Sequence, residues 1–257
     1  MHASEQEHLL EQVIAIARHA GALILDIYGG DIEVRGKADS SPVTAADERA
    51  EAHIVEALRQ LTPDLPIVAE EAVCAGRIPA LGKRFWLVDP LDGTKEFIRR
   101  NGEFTVNIAL IDDQQPLLGV VLAPALGRMF AGTRDLGAFI EDIDGRRPIN
   151  VRRIPEAGID VVSSRSHGDA EALDKFLAGY QVNARLSAGS SLKLCLVASG
   201  QADLYPRLGR TMEWDIAAGH AVLNAAGGSL RTLAGDELAY GKADFANPHF
   251  VASGAEA

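Results

Sequence analysis

The chain has 257 residues, enough for one large domain or two small ones around a buried core, and 47% apolar against 24% charged residues is the balance of a soluble globular protein. Its net charge of −11, with no basic stripe, argues against a nucleic-acid polymer or an anionic membrane as the main partner. The two cysteines, Cys74 and Cys195, are too few for a disulfide framework, and no apolar run approaches ~18 residues. The expectation is therefore a cytoplasmic protein without a transmembrane segment, compatible with peripheral association at the cytoplasmic face of the inner membrane.

In chain order, residues 5–28 place Leu9, Leu10, Val13, Ile14, Ala17, Ala20, Ile24 and Ile27 at helical spacing, and Gly29-Gly30 is a stop signal. A short extended piece and a polar loop over 37–42 follow. Thr44 opens a second amphipathic helix carrying Ala50, Ile54, Leu58 and Leu61. Thr44 and Asp47 approximate a capping box, with Asp for the usual Glu or Gln, so capping is one reading of Asp47. Ile67-Val68-Ala69 reads as a short strand delivering Glu70 and Glu71 to opposite sides, so only one of them reaches a site at its end. Residues 72–84 lack periodicity and read as a surface loop.

Phe85-Trp86-Leu87-Val88 is a buried strand, and Pro90, lacking a backbone donor, is expected to stop its ladder. Asp89 and Asp92 flank a turn in which Gly93 supplies the unusual backbone angle, and Thr94 is expected to N-cap a short helix through Ile98. Two hard oxygen ligands beside a helix start suit a divalent cation carrying a phosphate; a polar turn whose carboxylates cap amides is the alternative. Residues 104–110 alternate as a half-buried strand. Three more, over 117–123, 128–133 and 137–141, complete an antiparallel meander. Helices followed by consecutive strands make the first half α+β, with Arg146-Arg147-Pro148 as the boundary between domains 1–147 and 148–257.

The second half alternates strands and helices. Strands are expected over 158–163, 185–187 and 202–205 and near Leu230 and Phe250, and helices from Asp169, over 190–199 and over 215–226. Gly189-Ser190-Ser191-Leu192-Lys193 is a glycine-led helix start with two hydroxyls and an ammonium, by itself a weak anion-site signal. Asp215 stands at the lip of its helix, where an N-cap role is the plain alternative to ligation. Cys195 and His220 read as core residues, and the polar turn over 163–167 as either a pocket border or a solvated loop.

Asp89-Pro90-Leu91-Asp92-Gly93-Thr94 is similar to the Asp-Pro-(Ile/Leu)-Asp-Gly-Thr signature of the inositol monophosphatase superfamily of magnesium-dependent, lithium-sensitive phosphatases. The continuation Lys95-Glu96-Phe97-Ile98 resembles its bacterial CysQ-type branch, the 3'(2'),5'-bisphosphate nucleotidases. Ser41-Pro-Val-Thr-Ala-Ala-Asp47, Glu70-Glu71, Asn101-Gly-Glu-Phe-Thr-Val-Asn-Ile-Ala-Leu110, Gly189-Ser-Ser-Leu-Lys193, Leu204-Tyr-Pro-Arg207 and Trp214-Asp-Ile-Ala-Ala-Gly-His220 follow in family order. The resemblance covers nearly the whole chain.

That resemblance implies a layered α/β/α/β/α sandwich of the inositol monophosphatase and fructose-1,6-bisphosphatase type. It implies two or three Mg²⁺ ions on Glu70, Asp89, the Leu91 carbonyl, Asp92 and Asp215, displaceable by inhibitory Li⁺. Asp47, Glu70 and Thr94 would hold the attacking water. Glu70, Leu91, Asp92, Gly93, Thr94, Ser190, Lys193, Arg207 and Asp215 would contact the substrate, a small nucleotide bisphosphate. The leading substrate is adenosine 3',5'-bisphosphate, cleaved to AMP and phosphate and so recycled from sulfur assimilation. An inositol-1-phosphate phosphatase is the nearest alternative, although that branch commonly has Thr-Thr-Asn where this chain has Thr94-Lys95-Glu96. A phosphate- or metal-binding protein without turnover is the alternative outside enzymes. A homodimer is left open.

Overall fold

The computed structural model describes residues 1–30, 32, 34–36, 42–165 and 169–254. Helix α1 (Ala3–Tyr28) is followed by a small antiparallel pair, β1 (Val34–Gly36) and β2 (Pro42–Thr44), and by α2 (Ala45–Leu61). Then come β3 (Ile67–Ala69), α3 (Glu70–Cys74), β4 (Arg84–Asp92) and α4 (Thr94–Ile98). A meander continues through β5 (Thr105–Asp112), β6 (Gln115–Ala123), β7 (Arg128–Thr133), β8 (Gly137–Asp142) and β9 (Gly145–Ile149). The rest of the chain is β10 (Ile159–Ser164), α5 (Ala170–Leu177), β11 (Val182–Ala188), α6 (Leu192–Ala198), β12 (Leu204–Arg207), α7 (Glu213–Ala225), β13 (Ser229–Thr232) and β14 (Phe250–Ser253).

Two sheets organise these elements. The first has seven strands in the order β3-β4-β5-β6-β7-β8-β9, and the second has five in the order β11-β10-β12-β14-β13. Alternation along β5 sorts its side chains into two cores. Val106, Ile108 and Leu110 face Val13, Ile14, Ala17, Ile54 and Leu58 of α1 and α2. Ala109 and Ile111 face a second core with Leu194 and Val197 of α6 and Ala218 and Val222 of α7. The same core takes in Val162, Tyr205, Leu230 and Phe250 of the second sheet, whose opposite face packs Ile159, Val161 and Leu204 against Leu177 of α5. The layers therefore run α1/α2, seven strands, α6/α7, five strands, α5, the expected five-layer sandwich. Each large core side chain contributes about 1.5–3 kcal/mol of transfer free energy, and the middle helical layer gains it on two sides, from both sheets. Ala218 and Ala221 lie directly on Gly119 of β6, which brings α7, and with it Asp215, close to the first sheet.

Five local expectations are corrected. Strand β5 is buried on both faces, because helices cover each side of its sheet. Residues 70–74, partly assigned to a loop, form the single turn of α3, too short for periodicity to register. Arg146-Arg147-Pro148 lies inside the edge strand β9, whose exposed polar positions imitate a linker. Thr94 is the first residue of α4, and Gly93, with φ of 90°, is the cap. Pro90 does not end the strand: β4 runs on to Asp92 through an irregularity in its ladder. The polar loop over 37–42 lies, but for Pro42, outside the described residues, as do Ser166 and His167. No described helix is long and apolar enough to cross a membrane.

Candidate active site

The irregularity at Pro90 creates the site. Asp89 pairs with Asn107 and Asp92 with Thr105, so Pro90 and Leu91 together oppose the single residue Val106. Two residues against one is a β-bulge, and it shifts the side-chain alternation by one position. Residues three apart on a regular strand point to opposite faces; across this bulge Asp89 and Asp92 keep the parity of Thr105 and Asn107, which share a face. Proline costs nothing here, because the bulge leaves its missing donor without a ladder partner. Asp89, 2% exposed, also accepts the Leu91 N–H through Oδ1 at 3.0 Å, so it braces its own bulge while facing the site. The turn-capping alternative thus holds for Asp89, which also offers an oxygen to the carboxylate cluster.

Each remaining carboxylate comes from a helix start. Glu70 is the first residue of α3, directly beyond β3, which pairs with β4 in parallel from Ile67↔Trp86 to Ala69↔Val88. Glu71 is separated from it by a helical step rather than by strand alternation, and its backbone N–H donates to Glu51 Oε2 at 2.7 Å. Asp215 lies in the first turn of α7 and accepts the Met212 N–H through Oδ2 at 2.8 Å. Glu70, Asp89 and Asp215 each offer an oxygen within 4.8 Å of the others. Asp92 lines the same cavity beside them, with the Asn107 amide 3.5 Å from its Oδ2.

Asp47 serves two structures at once. Its Oδ2 accepts both the Thr44 N–H and the Thr44 hydroxyl at 2.7 Å, the capping box expected from the sequence. Its Oδ1 accepts the Thr94 hydroxyl at 3.2 Å, and the Leu91 carbonyl lies 3.4 Å from the same hydroxyl. Helix α2 is thereby tied to the bulge by one buried carboxylate.

A cavity of about 280 Å³ joins this acidic wall to a cationic one. Glu70, Asp89, Leu91, Asp92, Gly93, Thr94 and Asp215 line one side; Ser190, Ser191, Lys193, Arg207 and Arg210 line the other. Lys193 is 5% exposed, its ammonium donating to the Ser190 and Ala188 carbonyls at 2.5 and 3.4 Å and lying 5.5 Å from the centre of the Tyr205 ring. Arg207 donates through Nη2 to the Arg210 carbonyl at 2.9 Å. The Arg210 guanidinium is exposed and, among the described residues, has no side-chain partner. Arg210 was not anticipated: a single Arg between Gly209 and Thr211 carries no pattern, and only the fold turns it to the cavity. Ser164 borders the cavity, as one reading of its turn proposed.

The two walls perturb one another. Burial, with Glu70 adding repulsion, pushes the Asp92 carboxyl up to about 6, although Lys193 draws it back. Burial, with Asp92 and Glu70 nearby, raises Asp215 well above the ordinary carboxylate range. Burial lowers the Lys193 ammonium to about 8 against the pull of Asp92. An all-oxygen, anionic donor set that strains its own ionisation fits a hard divalent cation, and no Cys or His stands among the donors. Cys195 is buried with its thiol pushed up, and His220 is a packed core residue bonded through Nδ1 to the Tyr240 hydroxyl at 2.8 Å, its imidazole lowered by burial to about 3.

The model of the inositol monophosphatase family matches residues 5–255. The Escherichia coli K12 protein named 3'(2'),5'-bisphosphate nucleotidase CysQ is 50% identical over 250 residues, covering 95% of this chain and 99% of that protein. Its Haemophilus influenzae namesake is 33% identical over 255 residues, covering 96% and 93%. The crystal structure of CysQ from Bacteroides thetaiotaomicron, a bacterial member of the inositol monophosphatase family, superimposes with a TM-score of 0.81 at 35% identity, covering 97% of each chain. An inositol monophosphatase from Anabaena superimposes with a TM-score of 0.75 at 26% identity, covering 97% of this chain and 91% of that one.

Proposed function

This chain belongs to the inositol monophosphatase family, and from that premise we propose that it is a 3'(2'),5'-bisphosphate nucleotidase, hydrolysing adenosine 3',5'-bisphosphate to AMP and phosphate. The observation that carries the reading is the single cavity with a carboxylate wall for chemistry and a cationic wall opposite it. A substrate with two phosphates uses both walls; inositol 1-phosphate has one phosphate and leaves the second wall without a counter-charge. Glu70, Asp89, the Leu91 carbonyl, Asp92 and Asp215 would hold two or three Mg²⁺ ions. When bound, Mg²⁺ lowers the pKa of the attacking water and neutralises charge on the phosphate and the leaving oxygen.

The protein's own groups orient that water. The Thr94 hydroxyl donates a hydrogen bond to Asp47 Oδ1, which leaves an oxygen lone pair to accept a hydrogen bond from the water. Glu70 accepts the other hydrogen, so the oxygen lone pair points at phosphorus. Glu70 takes that proton as the phosphorus–oxygen bond forms, and the remaining hydrogen leaves with the phosphate. Asp47 cannot swing away, because its second oxygen is held twice by Thr44. Ser190, Lys193 and Arg207 receive the phosphate that is not cleaved. The ribose oxygen departs with the electrons of the P–O bond and takes a proton from solvent. No covalent nucleophile is used. The same reading divides the chain into a first domain that ends with β9 at Ile149, two residues past the expected 147, with most of the carboxylates, and a second that supplies Asp215 and the second-phosphate contacts.

The test is phosphate release with Mg²⁺ from adenosine 3',5'-bisphosphate and from inositol 1-phosphate at equal concentrations. Faster release from the inositol ester overturns the nucleotidase assignment. LiCl is expected to inhibit at sub-molar concentration and NaCl much less; equal inhibition at matched ionic strength counts against a carboxylate site that accepts Li⁺ in place of Mg²⁺.

A further inference from the structure

The turn from Gly189 to Ser191 belongs to the second half of the chain, yet one residue of the first half holds it. Glu103, in the connection between α4 and β5, accepts the Gly189 N–H on Oε2 at 2.8 Å. Arg165 closes on the same carboxylate from the other side, donating Nε to Oε2 and Nη2 to Oε1, each at 2.8 Å, and Nη2 also reaches the Ser187 carbonyl at 2.9 Å. The Glu103 main-chain carbonyl accepts the Ser190 hydroxyl at 3.0 Å. A side chain at Gly189 would put its Cβ 2.6 Å from that carbonyl oxygen, so the two segments are in direct backbone contact. The same oxygen lies 3.3 Å from where a Cβ of Gly93 would stand. Ser190 is held at a φ of 43°, the left-handed region that a residue other than Gly adopts when its surroundings impose it. Lys193 then takes its ammonium position from the Ser190 and Ala188 carbonyls.

We propose that Glu103 is a positioning residue that sets the separation between the two phosphate subsites. Its carboxylate, clamped by Arg165, fixes the Gly189–Ser191 turn, and through it the Ser190 hydroxyl and the Lys193 ammonium, against the Gly93–Thr94 loop where the bond is cleaved. Glu103 is neither a member of the carboxylate cluster nor itself a residue lining the cavity; it reaches the lining through Gly189 and Ser190, so it acts on selectivity for the second phosphate and not on the chemical step. The inference rests on the nucleotidase reading, since a substrate with one phosphate has no use for a fixed separation.

The experiment measures kcat and KM for adenosine 3',5'-bisphosphate and for adenosine 3'-monophosphate in wild type, Glu103→Ala, Glu103→Gln and Arg165→Met, with Tm and the Mg²⁺ activation curve of each. Glu103→Ala is expected to lower kcat/KM for the bisphosphate about 10-fold, through KM, and to leave the monophosphate within about 2-fold. Glu103→Gln keeps an acceptor for the Gly189 N–H and should recover most of the loss. Arg165→Met should fall between them, and it carries the comparison if Glu103→Ala does not fold. Mg²⁺ activation should be unchanged throughout. An equal loss for both substrates, as a merely structural clamp would give, overturns the proposal, and so does an unchanged bisphosphate KM in Glu103→Ala and Arg165→Met. A wild type that shows no preference for the bisphosphate overturns the nucleotidase reading itself, and with it this inference.

Discussion

The two walls of the cavity are built by opposite means. On the acidic wall, Asp89 sits within a sheet between β3 and β5, buried and bonded to its own backbone. Its companions Glu70 and Asp215 project from first turns of helices, one following a strand of that sheet and the other packed on the sheet through α7. On the cationic wall, Ser190 and Lys193 follow the edge strand β11, while Arg207 and Arg210 lie at the end of β12 and in the loop beyond it. The clustered carboxylates are thus held in or directly against the first sheet, whereas the cations stand where elements of the second half begin or end: Lys193 in the first turn of α6, Arg207 at the end of β12 and Arg210 in the loop beyond. Loss on the first wall should remove turnover; loss on the second should change what is turned over.

The sharpest break of that contrast is Asp89→Asn. The amide keeps the shape of the bulge and an acceptor for the Leu91 N–H, but removes the anionic donor most buried within the cluster. Turnover should fall at least about 10³-fold with the fold intact, because the cation's contribution to both water and leaving group is lost together. Steady-state kcat at saturating Mg²⁺, read beside the circular dichroism spectrum, checks it. Turnover within a few-fold of wild type would remove Asp89 from the metal site.

Lys193→Ala tests the other wall. A point charge on a phosphate is worth about 1.5–3 kcal/mol, so kcat/KM for the bisphosphate should fall about 10- to 100-fold while a 2'- or 3'-monophosphate barely changes. A proportional fall for both would assign Lys193 to stability or chemistry. The depressed ammonium adds a pH signature. In the free enzyme the charge is present below about 8 and lost above it, so kcat/KM for the bisphosphate should decline through pH 8–9. The monophosphate and the Lys193→Ala variant should lack that alkaline limb. The stability sign is opposite: the folded state releases this proton earlier than the unfolded chain, so the Lys193 contribution to stability rises from about pH 8 towards the ordinary lysine range. A bisphosphate profile flat through pH 9 in wild type would break the link between this ammonium and binding.

Much of this arrangement was legible in the sequence, and the gaps have physical causes. The Thr44–Asp47 capping box, the start of α5 at Asp169 and the short β3 before Glu70 are local features, and the structure repeats them. The bulge was not legible, because Pro90 removes a donor wherever it stands and sequence does not say whether the ladder resumes. The full burial of β5 was hidden for a related reason: Asn107 and Ala109 between larger residues look like a solvent face until α7 is known to cover them. Strand β9 was missed because an exposed edge needs no apolar alternation. Of the cationic wall, only residues in a recognisable run, Gly189 to Lys193 and Tyr205 to Arg207, could be named in advance. Glu103 and Arg165 are 62 positions apart and acquire a joint meaning only when the two halves meet.

Arg210 should give the smallest and most particular effect. Arg207 is tied to the Arg210 carbonyl and Lys193 to two others, so the Arg210 guanidinium is the cavity cation that, among the described residues, has no partner to give up when an anion enters. It is also exposed, and an exposed charge acts through a screened field worth well under a buried one. Arg210→Ala should therefore raise KM for the bisphosphate only about 3- to 5-fold at low ionic strength, leave kcat unchanged, and converge on wild type as salt approaches about 0.5 M. Arg210→Lys should restore most of the loss if charge alone matters, and little of it if the planar fork pairs with phosphate oxygens. Measuring KM for both variants across a salt series separates the two. A kcat loss that persists at high salt would place Arg210 with the acidic wall and break the division of labour between the two.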